Sequence, residues 1–184
     1  HASISSTILK AFEVTCDTIA YAHTQQIIHH DVKPDNIMTH SFGAVKVLDW
    51  GFATTPKNRT VSLKRIYGTP AYMAREQARG QVNTDARCDI FSLGAILCEI
   101  LTGAPPYRGE TQHEIYLKAR IGAIGDAHQR LDTCTGDDTQ CPSVPLADIT
   151  RRCLDPDPNQ RPSCATDLAD ATRVAIATYL DRQI

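Results

Sequence analysis

Apolar residues recur every three or four positions from the start of the chain. Ile4, Ile8, Phe12, Cys16, Ile19 and His23 share this period, which puts them on one face of a long opening helix. Core packing is the ordinary use of such a face, and no cofactor is needed to account for it. After Gln25-Gln26 the pattern changes. Ile27-Ile28 leads into a polar loop, and Ile37-Met38 and Val45-Lys46-Val47-Leu48 then read as two short strands paired through a turn at Gly43. From Phe52 to Ile66 the chain is polar with neither period, which predicts a mobile loop. Ile90 to Leu101 is apolar on nearly every side, as in a centrally buried helix. Gly103 stops it, and Pro105-Pro106-Tyr107 prevents its return. A polar helix is expected around Glu114 to Ile121, then a loop-rich stretch from Gly122 to Val144. Two more helices follow over Leu146 to Leu154 and Ala165 to Leu180, separated by an Asp155-Pro156-Asp157-Pro158 turn. The fold class predicted is mainly α with a small β-hairpin, with no internal repeat and no low-complexity tract.

A chain of 184 residues is long enough for one domain with a real core. Its 42% hydrophobic and 22% charged residues are ordinary for a globular protein. A net charge of −2 gives no electrostatic case for nucleic acid or a membrane surface as partner. The apolar run from Ile90 to Leu101 contains Ser92 and Glu99 and is too short to span a bilayer, so no membrane segment is expected. No charged, then apolar, then small-residue opening of the signal-peptide kind is present. The cysteines are Cys16, Cys88, Cys98, Cys134, Cys141, Cys153 and Cys164, an odd number, and no pair has zinc-knuckle spacing. Free or buried thiols in a reducing, cytoplasmic compartment fit this usage. Cys134 and Cys141 flank a polar stretch and are near enough in sequence to pair on oxidation. The chain opens at His1, without a methionine, directly into helical pattern, which reads as a fragment or processed segment.

The chemistry is concentrated in His29-His30-Asp31-Val32-Lys33-Pro34-Asp35-Asn36. The strand Ala44-Val45-Lys46-Val47-Leu48 follows and runs into Asp49-Trp50-Gly51. Singly, an Asp, Lys or Asn in a loop is usually a solvated turn former. The order is what informs: a base, a lysine and an amide at fixed offsets, then a strand, then Asp-aromatic-Gly. This order resembles the catalytic loop and metal-binding turn of a protein kinase. Phosphoryl transfer needs the nucleophile aimed, the metal held and the charge neutralised. The resemblance implies that Asp31 accepts a proton from a substrate hydroxyl and that Lys33 offsets the charge of the transferred phosphoryl. It makes Asn36 and Asp49 the oxygen ligands of Mg2+, and Met38 part of the floor under the adenine of ATP.

The resemblance continues along the chain. Gly68-Thr69-Pro70-Ala71-Tyr72-Met73-Ala74 looks like the substrate-docking end of a kinase activation segment, in which Thr69 would hydrogen-bond Asp31 and Lys33. Asp89-Ile90-Phe91-Ser92-Leu93-Gly94 is similar to the start of the family's central buried helix. Asp89 would cap that helix and tie down the backbone of the catalytic loop. Glu76 and Arg161 match the family's buried salt bridge. Lys33-Pro34-Asp35-Asn36 and the Gly-Thr-Pro segment resemble serine/threonine rather than tyrosine kinases, and 103–111 has a bacterial flavour. Essentially the whole chain is covered, but only as a carboxy-terminal lobe of the kinase α+β fold. Residues 1–184 would be a partial kinase domain, with catalytic loop 29–36, activation segment 49–76 and helical subdomain 85–184.

The chain also departs from the family. No two of its ten glycines stand one residue apart, so no Gly-x-Gly loop exists to cover phosphates. No lysine lies in a Val-Ala-x-Lys strand ahead of the motif loop, and the glutamate that would pair with it has no candidate. The resemblance therefore requires a missing amino-terminal lobe. His30 stands where many kinases carry an arginine that pairs with a phosphate on the activation segment, so phosphorylation at Thr54, Thr55, Thr60 or Ser62 is not expected to switch this protein in the usual way. Arg75 replaces the proline of Ala-Pro-Glu and sets a charge beside Glu76 that competes with Arg161. Trp50 replaces the usual phenylalanine and keeps an apolar plug. The function implied is transfer of the ATP γ-phosphoryl to Ser or Thr hydroxyls of a protein or peptide, in a longer polypeptide. The alternatives are a truncated pseudokinase that docks proteins through an open apolar face, and a small-molecule kinase, against which the 68–76 segment argues.

Overall fold

A 19-residue helix, α1 (Ser6–Thr24), opens the fold in a computed structural model that describes residues 5–40, 43–55, 66–81, 84–135 and 143–181. The α1 stripe is turned slightly from the expected one. Leu9, Phe12, Cys16, Ile19 and Ala20 are buried, whereas Ile8 is 51% exposed. Each helical step is about 100°, and the buried stripe centres nearer Leu9 and Cys16, which leaves Ile8 at its edge in the first turn. Ile4, Thr60, Ser62 and Cys141 lie outside the described residues.

Strands β1 (Ile37–Thr39) and β2 (Val45–Val47) form an antiparallel hairpin, with Ile37 opposite Val47 and Thr39 opposite Val45. Past β2 the polar stretch is not loop throughout. Thr54 exchanges backbone hydrogen bonds with Ile28 (3.0 and 2.9 Å) and is buried. Periodicity cannot reveal a pairing of one residue with one residue, because a single bridge has no period.

Among the described residues the remaining α-helices are α2 (Arg75–Ala78), α3 (Arg87–Thr102), α4 (Gln112–Ile121), α5 (Gly125–Thr135), α6 (Ser143–Cys153) and α7 (Thr166–Asp181). α3 is the central one, buried from Cys88 through Cys98. It packs on α1, α5 and α6, while α1 lies along α7. Close approach of α3 to α6 rests on Gly94, where an added Cβ would collide with the Cys153 side chain. Helix α5 corrects the expectation of loop between Gly122 and Val144. Its polar residues dilute the pattern, yet Ala127 and Leu131, four apart, are fully buried. Arg130 on the same helix fastens the turn after α3 by donating to the Thr102 hydroxyl and to the carbonyls of Ala104 (2.9 Å) and Pro105 (2.8 Å).

Two apolar clusters result. One joins α1, α3, α6 and α7 around Phe12, Ile19, Leu93 and Leu97; the other joins α3 to α4 and α5 around Phe91, Tyr107 and Leu131. Cys16, Cys88, Cys98 and Cys153 are packed in these clusters as small hydrophobes, and burial pushes each thiol pKa up. Among the described residues no helix is long and apolar enough to cross a membrane.

Candidate active site

The 29–36 loop hangs from one carboxylate. Asp89, wholly buried in the first turn of α3, accepts from the backbone N–H groups of His29 and His30 at 2.9 Å each and pairs with His23 Nε2 at 2.9 Å. Its expected capping role is not what it does. The N-cap position of α3 is Ala86, and the Arg87 N–H is satisfied by Asp85 at 2.9 Å instead. Asp89 stands three residues further in, so its side chain points back across the helix end to the loop. Burial by itself raises the Asp89 pKa. The hydrogen bond and charge of His23, the nearby His30 and the backbone donors outweigh that and hold it below the usual carboxylate value.

Each loop histidine is fixed by what its ring nitrogens meet. His29 Nδ1 accepts from the Asp31 N–H (3.2 Å), so its Nε2–H donates to the Leu48 carbonyl (3.0 Å). That bond ties the loop to the residue before Asp49. His30 adopts a left-handed conformation (φ 68°) and is buried. Its Nε2 meets the Thr54 hydroxyl at 2.8 Å and its Nδ1 the Cys88 thiol at 3.4 Å. The imidazole thus joins the loop to the Ile28–Thr54 bridge and to α3, contacts that no local sequence signal announces.

Asp31, Lys33 and Thr69 meet in one network. Lys33 Nζ donates to Thr69 Oγ1 (2.8 Å) and lies 3.0 Å from Asp31 Oδ2. The Thr69 hydroxyl donates to Asp31 Oδ1 (2.9 Å). The contact that the resemblance implies for Thr69 is therefore present, across 38 residues of chain. Asn36 closes the loop on itself, its Nδ2 donating to the Asp31 carbonyl (2.9 Å) and lying 3.4 Å from Asp31 Oδ2. The Asn36 carbonyl accepts from the Leu48 N–H at 2.8 Å. Asn36 is thus one hydrogen bond from Asp31 and one from the residue preceding Asp49, which sets the turn that bears Asp49 at the edge of the loop that bears Asp31, Lys33 and Asn36.

Asp49 is exposed and left-handed (φ 56°), and its carboxylate accepts from the Gly51 N–H at 3.3 Å. Two non-glycine residues with positive φ, His30 and Asp49, flank this edge; such conformations concentrate at functional sites. Trp50 leans on the His29 ring (centroids 4.6 Å apart) and donates its indole N–H to the Val47 carbonyl (3.0 Å). Met38 is exposed on the same hairpin. Among the described residues no three His, Cys, Asp or Glu side chains cluster as a metal cage. Asn36 Oδ1 and the Asp49 carboxylate are nonetheless hard oxygen donors, and Mg2+ is typically held by one or two such groups with phosphates and waters completing its shell.

Behind the site, Glu76 on α2 takes a forked pair of bonds from Arg161 (2.6 and 2.9 Å), a guanidinium with no exposed side-chain surface. Both Glu76 oxygens go to Arg161, so Arg75 does not displace it. Tyr72 donates its hydroxyl to Glu99 of α3 at 2.7 Å, and burial together with that bond pushes the phenol pKa up. Sequence reasoning passed over Gln77. It is buried, and its amide donates to the carbonyls of His30 (2.5 Å) and Tyr67 (2.7 Å).

The profile described as the protein kinase domain matches residues 3–171. Serine/threonine-protein kinase PknB of Mycobacterium tuberculosis is 43% identical over 108 residues, which cover 55% of this chain and 17% of that protein. PknB of Mycobacterium leprae is 45% identical over 98 residues, covering 52% of this chain and 16% of the relative. Serine/threonine-protein kinase PrkC of Bacillus subtilis is 40% identical over 111 residues, covering 60% of this chain and 17% of the relative. The match spans about a sixth of the length of these bacterial relatives.

Proposed function

From the premise that this chain belongs to the protein kinase family, we propose that it is the carboxy-terminal lobe of a serine/threonine protein kinase. In a longer polypeptide it would transfer the γ-phosphoryl of ATP to Ser or Thr hydroxyls of a protein substrate. On this reading 29–36 is the catalytic loop, 49–76 the activation segment and 85–184 the helical subdomain. The observation that carries it is the Asp31–Thr69–Lys33 network, joined by Asn36 to the turn that bears Asp49. A reducing, cytoplasmic setting suits the thiols, four of which are buried among the described residues.

The residues divide the chemistry. A carboxylate offers about four lone-pair sites. Thr69, Lys33 and Asn36 approach three of those on Asp31, leaving room for one donating hydroxyl. Asp31 would aim that hydroxyl and take its proton. Lys33, with a fifth of its side chain exposed, would carry its charge to the edge where a phosphoryl arrives. Asn36 Oδ1 and Asp49 would hold magnesium, which supplies charge neutralisation on the phosphates when bound. Met38 would lie under the adenine.

The Gly-x-Gly loop and the lysine strand, absent from these 184 residues, would be contributed by another segment. The chain alone should therefore be nearly inactive. The test is Mg-ATP-dependent phosphorylation of a Ser/Thr peptide by the chain fused to the amino-terminal lobe of a similar kinase. Activity in the fusion, abolished by Asp31→Asn, is expected. A folded fusion that binds ATP yet transfers nothing overturns the proposal and favours a non-catalytic docking module.

A further inference from the structure

The Asp31–Thr69 contact joins two segments 38 residues apart, and something must hold their backbones in register. We infer that Gln77 is that clamp, a positioning residue that sets Thr69 against Asp31; its bearing on phosphoryl transfer rests on the function proposed above. The Gln77 amide sends one N–H to the carbonyl of His30, the residue before Asp31, and the other to the carbonyl of Tyr67, two residues before Thr69. One planar NH2 group thus bridges the two segments directly beside the network. Gly68, between Tyr67 and Thr69, turns through a positive φ of 109°. A Cβ there would sit 2.8 Å from both Gln77 Nε2 and the His30 carbonyl. The backbone therefore closes down on the amide, and only glycine permits it.

Donor chemistry makes the role specific to glutamine. Both acceptors are backbone carbonyls, so the site requires two N–H donors from a neutral group. Among the described residues Gln77 Oε1 has no hydrogen-bond partner, so the orientation is set by the two donated bonds and not by the oxygen. The reverse orientation would face that oxygen against two carbonyls. A carboxylate would repel both acceptors, and a protonated carboxyl would serve only one. A methionine of similar volume would serve neither.

Hydrogen exchange of the 184-residue chain tests this without any need for phosphoryl transfer. In Gln77→Met, amides in 67–73 and 31–36 should exchange about tenfold faster than wild type, with those of α3 and α7 unchanged, as expected for losing about two neutral hydrogen bonds locally. Gln77→Glu should exchange at least as fast as Gln77→Met at pH 8 and regain part of the protection at pH 5, as its carboxyl gains a proton to donate. A structural residue lacking this donor role would show no such pH-dependent recovery. Unaltered exchange in both variants, faster exchange spread evenly through the helices, or no recovery of Gln77→Glu in acid would each overturn the inference. In an active fusion, Gln77→Met should lower kcat about tenfold and add little to Thr69→Ala. Inactivity of every fusion would remove the proposed function and leave the exchange result standing.

Discussion

Replacing Asp89 by asparagine keeps volume and shape but removes the charge from which the 29–36 loop hangs. One Asp89 oxygen accepts from His30 N–H; the other accepts from His29 N–H and meets His23 Nε2, all at 2.9 Å. Whichever way an asparagine amide turns, its NH2 faces at least one backbone N–H. One or two charge-assisted bonds are lost, each worth about 1.5–3 kcal/mol, and a fully buried N–H is left without an acceptor. We expect a loss of about 3–5 kcal/mol at pH 7, a large share of the roughly 5–15 kcal/mol that holds a domain folded. Urea unfolding followed by far-ultraviolet circular dichroism measures it. The wild-type advantage should also depend on pH. The Asp89 pKa is lowered in the fold, so the unfolded chain takes up the proton first as the pH falls. The stabilisation is then complete above the unfolded value near 4, and is lost as the pH drops through the lower folded value. A difference under about 1 kcal/mol at pH 7, or an advantage that grows below pH 4, would refute the reasoning.

Other outcomes follow from the same geometry. Arg161→Met should cost about 3–5 kcal/mol by thermal melting, because it leaves Glu76 charged and nearly buried, and Glu76→Met in the same chain should restore much of the loss. In an active fusion, Lys33→Met should lower kcat about 100-fold, measured where circular dichroism shows the variant folded, since the substitution also leaves the buried Asp31 carboxylate without its ammonium. Among the described cysteines, Cys134 and Cys164 should react with a thiol reagent in the native chain, and Cys16, Cys88, Cys98 and Cys153 only after denaturation; prompt native labelling of Cys88 would contradict its burial. Trp50 is the only tryptophan and stands 36% exposed against His29, so its fluorescence should change on adding ligands that cover Asp49, and that tryptophan signal should be lost altogether in Trp50→Phe.

Local rules account for the parts whose determinants are close in sequence. The hairpin follows from two short alternating runs and Gly43, and α3 from a mostly apolar run ended by Gly103. The candidate site residues Asp31, Lys33, Asn36 and Asp49 could be listed from one stretch because a tight loop and a hairpin carry them within 19 residues. Helix α5 is not legible in the sequence because its buried positions are few among polar ones, so its period is faint until neighbouring helices cover it. The tilt of the α1 stripe, which leaves Ile8 outside, likewise depends on where α7 and α3 lie.

By itself, the amino-acid order determined which chemical groups this protein has and which short elements present them, since propensity, turn chemistry and motif spacing act over a few residues. Only the tertiary structure decided which distant groups meet. Thr69 reaches Asp31 across 38 residues, Asp89 holds a loop 60 residues before it, and Gln77 clamps a carbonyl 47 residues away. Hydrogen bonds act at about 3 Å whatever the separation along the chain, so these partners are chosen by the packing of α2 and α3 against the loop, and no local pattern carries that information.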